Sequence, residues 1–288
     1  MPPMFGVAEL GGTKALVGFG DPTGALSDVV RVPTTSPTET MSRVIAHLGS
    51  RDDLTSIGIA SFGPLELREH HDRFGHITNT TKPGWSQISV LKPVQEAFDL
   101  PIGLDTDVNG AALGEGRWGA ARGLEDFVYL TVGTGIGGGA VSGGRLVRGL
   151  AHPEMGHVVV ERRAGDRFEG VCDYHGDCLE GMASGPALEA RFGKSVRNDA
   201  EEAVELAAFY LAQGIRDFVY TLSPQRVVVG GGVANLAGLV PAIERHLAQR
   251  LGSYPGLAEH DAGFVVRAGL GDRSGLAGAL ILAENAQF

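Results

Sequence analysis

Cysteine is nearly missing from this chain, with two in 288 residues, Cys172 and Cys178. That excludes a small secreted scaffold stapled by disulfides, and it fits a reducing compartment. Basic residues are the minority charge: 24 Lys and Arg stand against 34 Asp and Glu, a formal net charge of −10. A nucleic-acid grip needs a basic face, so the expectation is no nucleic-acid partner. Long apolar runs are missing too. The sequence shows no membrane span, and its first five residues lack the basic-then-apolar order of a signal segment. A cytoplasmic protein with no membrane partner is expected. The acidic balance does not exclude a phosphate ligand, because backbone N–H groups supply local positive ends.

Glycine is what the chain has in excess, 44 residues clustered after apolar runs. Such clusters mark turns where backbone approaches a ligand closely. Hydrophobic content of 43% and charged content of 20% describe a globular protein long enough for two lobes.

The chain opens as a hairpin: Phe5 to Glu9, a turn at Leu10-Gly11-Gly12, then Thr13 to Phe19. A strand at Val29 to Val32 follows, then a helix from Thr38 to Leu48 capped by Ser36-Pro37. Ser56 to Ala60 reads as a buried strand, Ser89 to Phe98 as a helix, Pro101 to Asp105 as a strand and Asn109 to Trp118 as a helix. After Gly123 the grammar restarts. Phe127 to Val132 is a strand, Gly133-Thr134-Gly135 a turn, and Gly138 to Val141 with Leu146 to Arg148 flank a second hairpin turn, Gly143-Gly144. A helix at Asp199 to Leu222, a strand at Arg226 to Val229, the Gly230-Gly231-Gly232 turn, a helix at Leu236 to Leu251, a strand at Phe264 to Val266 and a helix at Ser274 to Glu284 complete it. Architecture is thus weakly duplicated, which predicts two α/β lobes with a cleft between them. The small lobe is expected over 1–118, with the last helix (274–288) packing back on it, and the large lobe over 119–273.

Four residues of metal-ligand type crowd into one segment: His157, Cys172, His175 and Cys178. Their number and type suit a tetrahedral structural zinc, with Glu154 and Glu180 held beside it. Buried apolar fillers, a reactive thiol or a Cys172–Cys178 disulfide are the alternative uses. Gly11-Gly12-Thr13-Lys14 offers bare N–H groups, a hydroxyl and an ammonium to a terminal phosphate; the alternative is a plain hairpin with Lys14 solvated. Gly133 to Gly138 contains Gly-x-Gly-x-x-Gly, yet alternation after it predicts a strand where a dinucleotide fold needs a helix. The Gly230-Gly231-Gly232 turn leaves room for adenine or ribose, or only for strand–helix packing. Asp105-Thr106-Asp107 lies where a strand ends and a helix begins. One aspartate there can cap the helix while the other, Asp107, takes a proton from a hydroxyl.

Taken in order, these motifs resemble the ROK family of sugar kinases, fructokinase-type branch, in the actin-like ATPase superfamily. Glu9-Leu10-Gly11-Gly12-Thr13-Lys14 is similar to the family's first phosphate motif, with Glu in place of Asp. Thr106-Asp107-Val108-Asn109 is similar to its catalytic turn, with Thr106 where Asn is usual. Glu154-Met155-Gly156-His157 and the Cys172 to Glu180 loop are similar to its sugar and zinc motifs, with His175 standing in for a cysteine. The resemblance implies a two-lobed α/β, ribonuclease H-like fold and an ATP:hexose phosphotransferase, fructose being favoured over mannose or glucose. It implies Asp107 as base and Thr106, Asp107, Glu154, His157 and Glu180 against the sugar. ATP and Mg²⁺ fall to Glu9, Gly11, Gly12, Thr13, Lys14, Thr131, Gly133, Thr134, Gly135, Gly181, Gly230 and Gly231. A structural Zn²⁺ falls to His157, Cys172, His175 and Cys178, and the assembly implied is a homodimer. Sugar-responsive repressors of the same family carry an N-terminal DNA-binding domain, for which a phosphate hairpin starting at residue 5 leaves no room. A non-catalytic sugar-binding module is the remaining alternative.

Overall fold

The computed structural model describes residues 2–193, 200–252 and 263–287. They form two compact units. One comprises Met1–Gly119, Arg148–His152 and Arg273–Phe288, the other Ala120–Val147 and Pro153–Asp272.

The first unit starts with β1 (Met4–Leu10), β2 (Lys14–Gly20) and β3 (Leu26–Pro33), an antiparallel meander. Helix α1 (Pro37–Leu48) follows because Ser36 accepts the Glu39 N–H at 3.3 Å and Pro37 occupies the first turn, where its missing N–H costs nothing. Its buried Met41, Val44 and Leu48 share one face, packed with Ala8, Leu10, Ala15 and Val17 on one side of the sheet. Strand β4 (Leu54–Ser61), helix α2 (Lys92–Ala97), strand β5 (Ile102–Thr106) and helix α3 (Asp107–Trp118) complete this run. The order β3-β2-β1-β4-β5 has β1, β4 and β5 parallel. Helix α2 is shorter than the Ser89–Phe98 expectation. Val90 N–H bonds the Gly75 carbonyl and Ser89 bridges His76, so the backbone there is already committed.

The second unit repeats the plan. Strands β6 (Phe127–Val132), β7 (Ile136–Ser142) and β8 (Arg145–Leu146) are antiparallel neighbours. Helices α4 (Leu179–Ala183), α5 (Gly185–Phe192) and α6 (Ala200–Leu222) follow, then β9 (Arg226–Gly230), α7 (Leu239–Leu251) and β10 (Val265–Arg267). The order β10-β9-β6-β7-β8 mirrors that of the first sheet. The expected start of the long helix at Asp199 lies outside the described residues. Helices α4 and α5 lie beyond the elements expected from the sequence; α4 has only five residues, while Ser184 caps α5 through the Ala187 N–H. The expected helix start at Leu236 moves to Leu239, because residues Val233–Asn235 form a 3-10 turn first.

The chain then returns to the first unit as α8 (Ser274–Asn285), which lies against β1, β4, β5 and α3. Glycines make this approach possible. A Cβ on Gly58 would stand 1.8 Å from the Ala279 carbonyl oxygen, one on Gly103 2.1 Å from that of Leu282, and one on Gly278 1.7 Å from that of Gly110. Backbone is in the way at each, so the contact cannot be relieved by a rotamer change. Gly278→Ala is expected to cost about 3 kcal/mol and to lower the thermal midpoint by roughly 10 °C, read by circular dichroism melting.

Candidate active site and metal centre

In the first unit, register places the candidates on one edge. Glu9 pairs with Ala60 and Ala60 with Asp105; Leu10 pairs with Ser61 and Ser61 with Thr106. The Gly11–Lys14 turn and the Asp107 turn therefore leave the same carboxyl edge, two strands or roughly 10 Å apart. In parallel α/β sheets this edge is where ligands gather. Gly12 and Thr13 are exposed, and Gly11 closes the turn by donating to the Lys14 carbonyl at 2.9 Å. The Glu9 carboxylate reaches the start of α8, where a Cβ on Gly275 would stand 2.5 Å from its Cδ.

Neither aspartate caps α3, which corrects the expectation that one would. Thr106 is the cap, its hydroxyl oxygen accepting the Asn109 N–H at 3.2 Å. Asp105 is fully buried and spoken for: Oδ1 accepts from the Thr106 N–H at 2.8 Å and from Asn109 Nδ2 at 2.7 Å, and Oδ2 takes the Arg148 guanidinium. Asp107 keeps a partial opening to solvent and accepts the short-range Val108 N–H at 2.9 Å. Burial among protein atoms pushes its carboxyl up to about 6, against the smaller downward pull of that hydrogen bond. A carboxylate so placed is ionised at neutral pH and still basic enough to take a proton.

In the second unit, Thr131 pairs with Gly137 on one side and Gly230 on the other, so the ends of β6 and β9 and the start of β7 share one edge. There Gly133 donates to the Gly135 carbonyl at 2.9 Å, and Thr134 is exposed at the tip of the turn. Gly231 has φ +87, and a Cβ on it would meet the Val132 carbonyl oxygen at 2.4 Å, so only glycine fits. Strand β7 follows the Gly-Thr-Gly turn, as the alternation after it predicted. Gly181 is buried against the Cys172–Cys178 loop, its Cβ position 1.8 Å from the Gly176 carbonyl oxygen and 3.1 Å from the Cys172 Cβ.

His157, Cys172, His175 and Cys178 converge, their ligand atoms all within 4.8 Å of one another. Both cysteines are buried and free, so no disulfide joins them. His157 Nδ1 lies 3.6 Å from each sulfur, and His175 Nδ1 lies 3.8 Å from Cys172 Sγ. Zinc bonds of about 2.3 Å to sulfur and about 2.0 Å to nitrogen, at a tetrahedral angle, set S and N about 3.5 Å apart. The donor set fits that ion in type, number and spacing. Burial pushes the Cys178 thiol up to about 11, and a bound divalent ion would invert that preference. The flanking carboxylates differ. Glu154 is exposed ahead of the Met155–His157 turn, whereas Glu180 Oε2 accepts the Ile136 N–H at 2.8 Å.

Some residues of these sites left no local signal in the sequence. Arg148 meets Asp105 from 43 positions away. Asp166 accepts from Arg191, 25 positions on, at 2.9 Å and from the Tyr210 hydroxyl, 44 positions on, at 2.5 Å. Burial works against its ionised form, but Arg191 and Tyr210 override it and hold the carboxyl down at about 2.

Two sheets of one strand order, each ending in a glycine turn suited to phosphate, define a protein of the actin-like ATPase class. The ROK family model matches residues 5–286, and the chain belongs to that family. It is 44% identical to a fructokinase of Zymomonas mobilis, over 99% of this chain and 97% of that one. It is 40% identical to a putative fructokinase of Bacillus subtilis, over 98% of this chain and 96% of that one. Among solved structures it is similar to a ROK hexokinase from Thermus thermophilus (TM-score 0.74, 32% identity, 98% of each chain). It is also similar to a ROK family glucokinase from Streptomyces griseus in complex with glucose and AMPPNP (TM-score 0.79, 25% identity, 99% of this chain and 100% of that one).

Proposed function

We propose that this protein is an ATP-dependent fructokinase, converting D-fructose and ATP to fructose 6-phosphate and ADP. The observation that carries the chemistry is a half-open carboxylate, Asp107, raised to about 6 on the same sheet edge as the Gly11–Lys14 turn. Fructose is supported by fructokinases 35–44% identical over most of the chain.

Asp107 takes the proton from the hexose 6-hydroxyl as its oxygen bonds to the γ-phosphorus and the bridge to the β-phosphate breaks. Each unit carries its own candidate nucleotide-binding residues, Gly11, Gly12, Thr13 and Lys14 in the first and Thr131, Gly133, Thr134, Gly135, Gly181, Gly230 and Gly231 in the second, which offer backbone N–H, hydroxyl and ammonium groups to phosphates and nucleoside. Phosphoryl transfer is mostly such positioning and charge neutralisation. Glu9 would help hold Mg²⁺ with the nucleotide's own oxygens, the usual division for that ion. Glu154, His157 and Glu180 orient the sugar hydroxyls. Thr106, spent on capping α3, shapes the turn that presents Asp107. Zinc, when bound to His157, Cys172, His175 and Cys178, supplies a rigid closure of the loop carrying Glu180.

Two free buried cysteines and an ATP requirement support a cytoplasmic location. Family resemblance supports a homodimer, which sedimentation equilibrium reads directly. The central test is ATP turnover against fructose, mannose and glucose, and the expected order of kcat/KM has fructose first. A preference for glucose or mannose would move the protein to another activity of its family. No turnover with any hexose, despite sugar binding, would leave a binding module.

A further inference from the structure

Ile136 is the residue that follows the Gly133-Thr134-Gly135 turn, and neighbours of two metal-ligand candidates grip it. Glu180, two positions after Cys178, accepts its N–H at 2.8 Å. Gly156, immediately before His157, comes so close that a Cβ there would stand 1.8 Å from the Ile136 carbonyl oxygen. The two gripping segments are themselves joined, since the Leu179 N–H donates to the Val158 carbonyl at 3.0 Å. The other end of the turn is fastened to the same stretch. Gly185 N–H donates to the Gly133 carbonyl at 2.7 Å, and Ser184 N–H to the Glu180 carbonyl at 3.1 Å. Gly135 leaves no slack, because a Cβ on it would lie 2.7 Å from Glu180 Oε2. Residues 180–185 thus hold both ends of the turn, and they begin where the metal loop ends.

We infer that the His157–Cys172–His175–Cys178 centre sets the conformation of the Gly133–Gly135 turn through Glu180 and Gly156, so that metal occupancy governs nucleotide affinity. Glu180 is then a positioning residue for the nucleotide, in addition to its place against the sugar. This rests on the reading that the turn meets ATP phosphates. Physically, a backbone N–H bonded to a carboxylate is a strong, directional tether. A turn held at both ends meets a ligand with less ordering to lose. A metal bound by His157 and Cys178 would tie together the segments that carry Gly156 and Glu180.

The experiment measures binding of a non-hydrolysable ATP analogue to the zinc-loaded full chain by calorimetry, with no hexose present, so the sugar role of Glu180 cannot contribute. Glu180→Gln and Glu180→Ala both remove the charge, but only Gln keeps an acceptor for the Ile136 N–H. Their difference isolates the tether. The alanine variant should bind about tenfold more weakly than the glutamine variant, the usual worth of such a bond. His175→Ser, which alters an exposed candidate ligand and leaves Glu180 and Ile136 in place, should weaken analogue binding to a similar extent. So should chelation of the wild type while its far-ultraviolet dichroism is retained. Equal affinities of the Gln and Ala variants, or a folded metal-free protein that binds the analogue like the loaded one, would overturn the inference. A loaded wild type that binds no analogue would sink the kinase reading itself, and this inference with it.

Discussion

Asp107→Asn should lower kcat by about 10²–10⁴-fold, the usual contribution of a positioned general base, with hexose affinity little changed. The amide is isosteric and can still accept the Val108 N–H, so helix α3 keeps its start. The cap is Thr106, which is untouched. What disappears is a group able to take a proton. The wild-type profile of kcat/KM should therefore show an acid limb near pH 6, since burial has raised this carboxyl to about 6 and only its ionised form works. Activity falls as pH drops through that value. In the variant the small residual rate should lose this limb. Wild-type turnover in Asp107→Asn would remove the residue from the chemistry. Survival of the acid limb would assign the limb to another group.

Cys178→Ser should abolish stoichiometric zinc, raise the fructose Kd about tenfold or more and lower the melting temperature. Structural zinc binding in small domains is worth about 10–16 kcal/mol, and serine is a poor replacement for a thiolate on this ion. Cys178 is buried, and without a cation its proton is held tightly, up to about 11. Metal binding must displace that proton, so zinc affinity should decline as pH is lowered. Plasma mass spectrometry on purified protein gives the metal content, and calorimetry with fructose gives the affinity. Unchanged metal content together with unchanged fructose binding would show that the four donors are a packing cluster.

Much of this was legible because the signals are local. Strand alternation with Gly11-Gly12 and Gly143-Gly144 specifies hairpins within a dozen residues, and β1–β2 and β7–β8 form there. The metal-ligand candidates Cys172, His175 and Cys178 sit in one short loop, so spacing alone suggested their convergence. What the sequence hid depends on distant partners or on competition between neighbours. Arg148 reaches Asp105 across 43 positions, and Ile136 reaches Glu180 across 44. At the start of α3, three adjacent polar residues could all cap. Asp105 is drawn instead to Asn109 and Arg148, which leaves the bond to Thr106. Helix α4 was hidden because a five-residue helix is too short to display a period.

Helix α8 has a consequence for biogenesis. Its Leu276, Ala279, Leu280 and Ala283 supply the other half of the layer that covers Phe5, Val7 and Ala60. On the ribosome these strands emerge with that face bare and wait until residues 153–272 have been made before α8 is synthesised. The nascent protein therefore spends most of its translation with an apolar sheet face available to chaperones. A premature stop shortly before Ser274 would leave it so permanently.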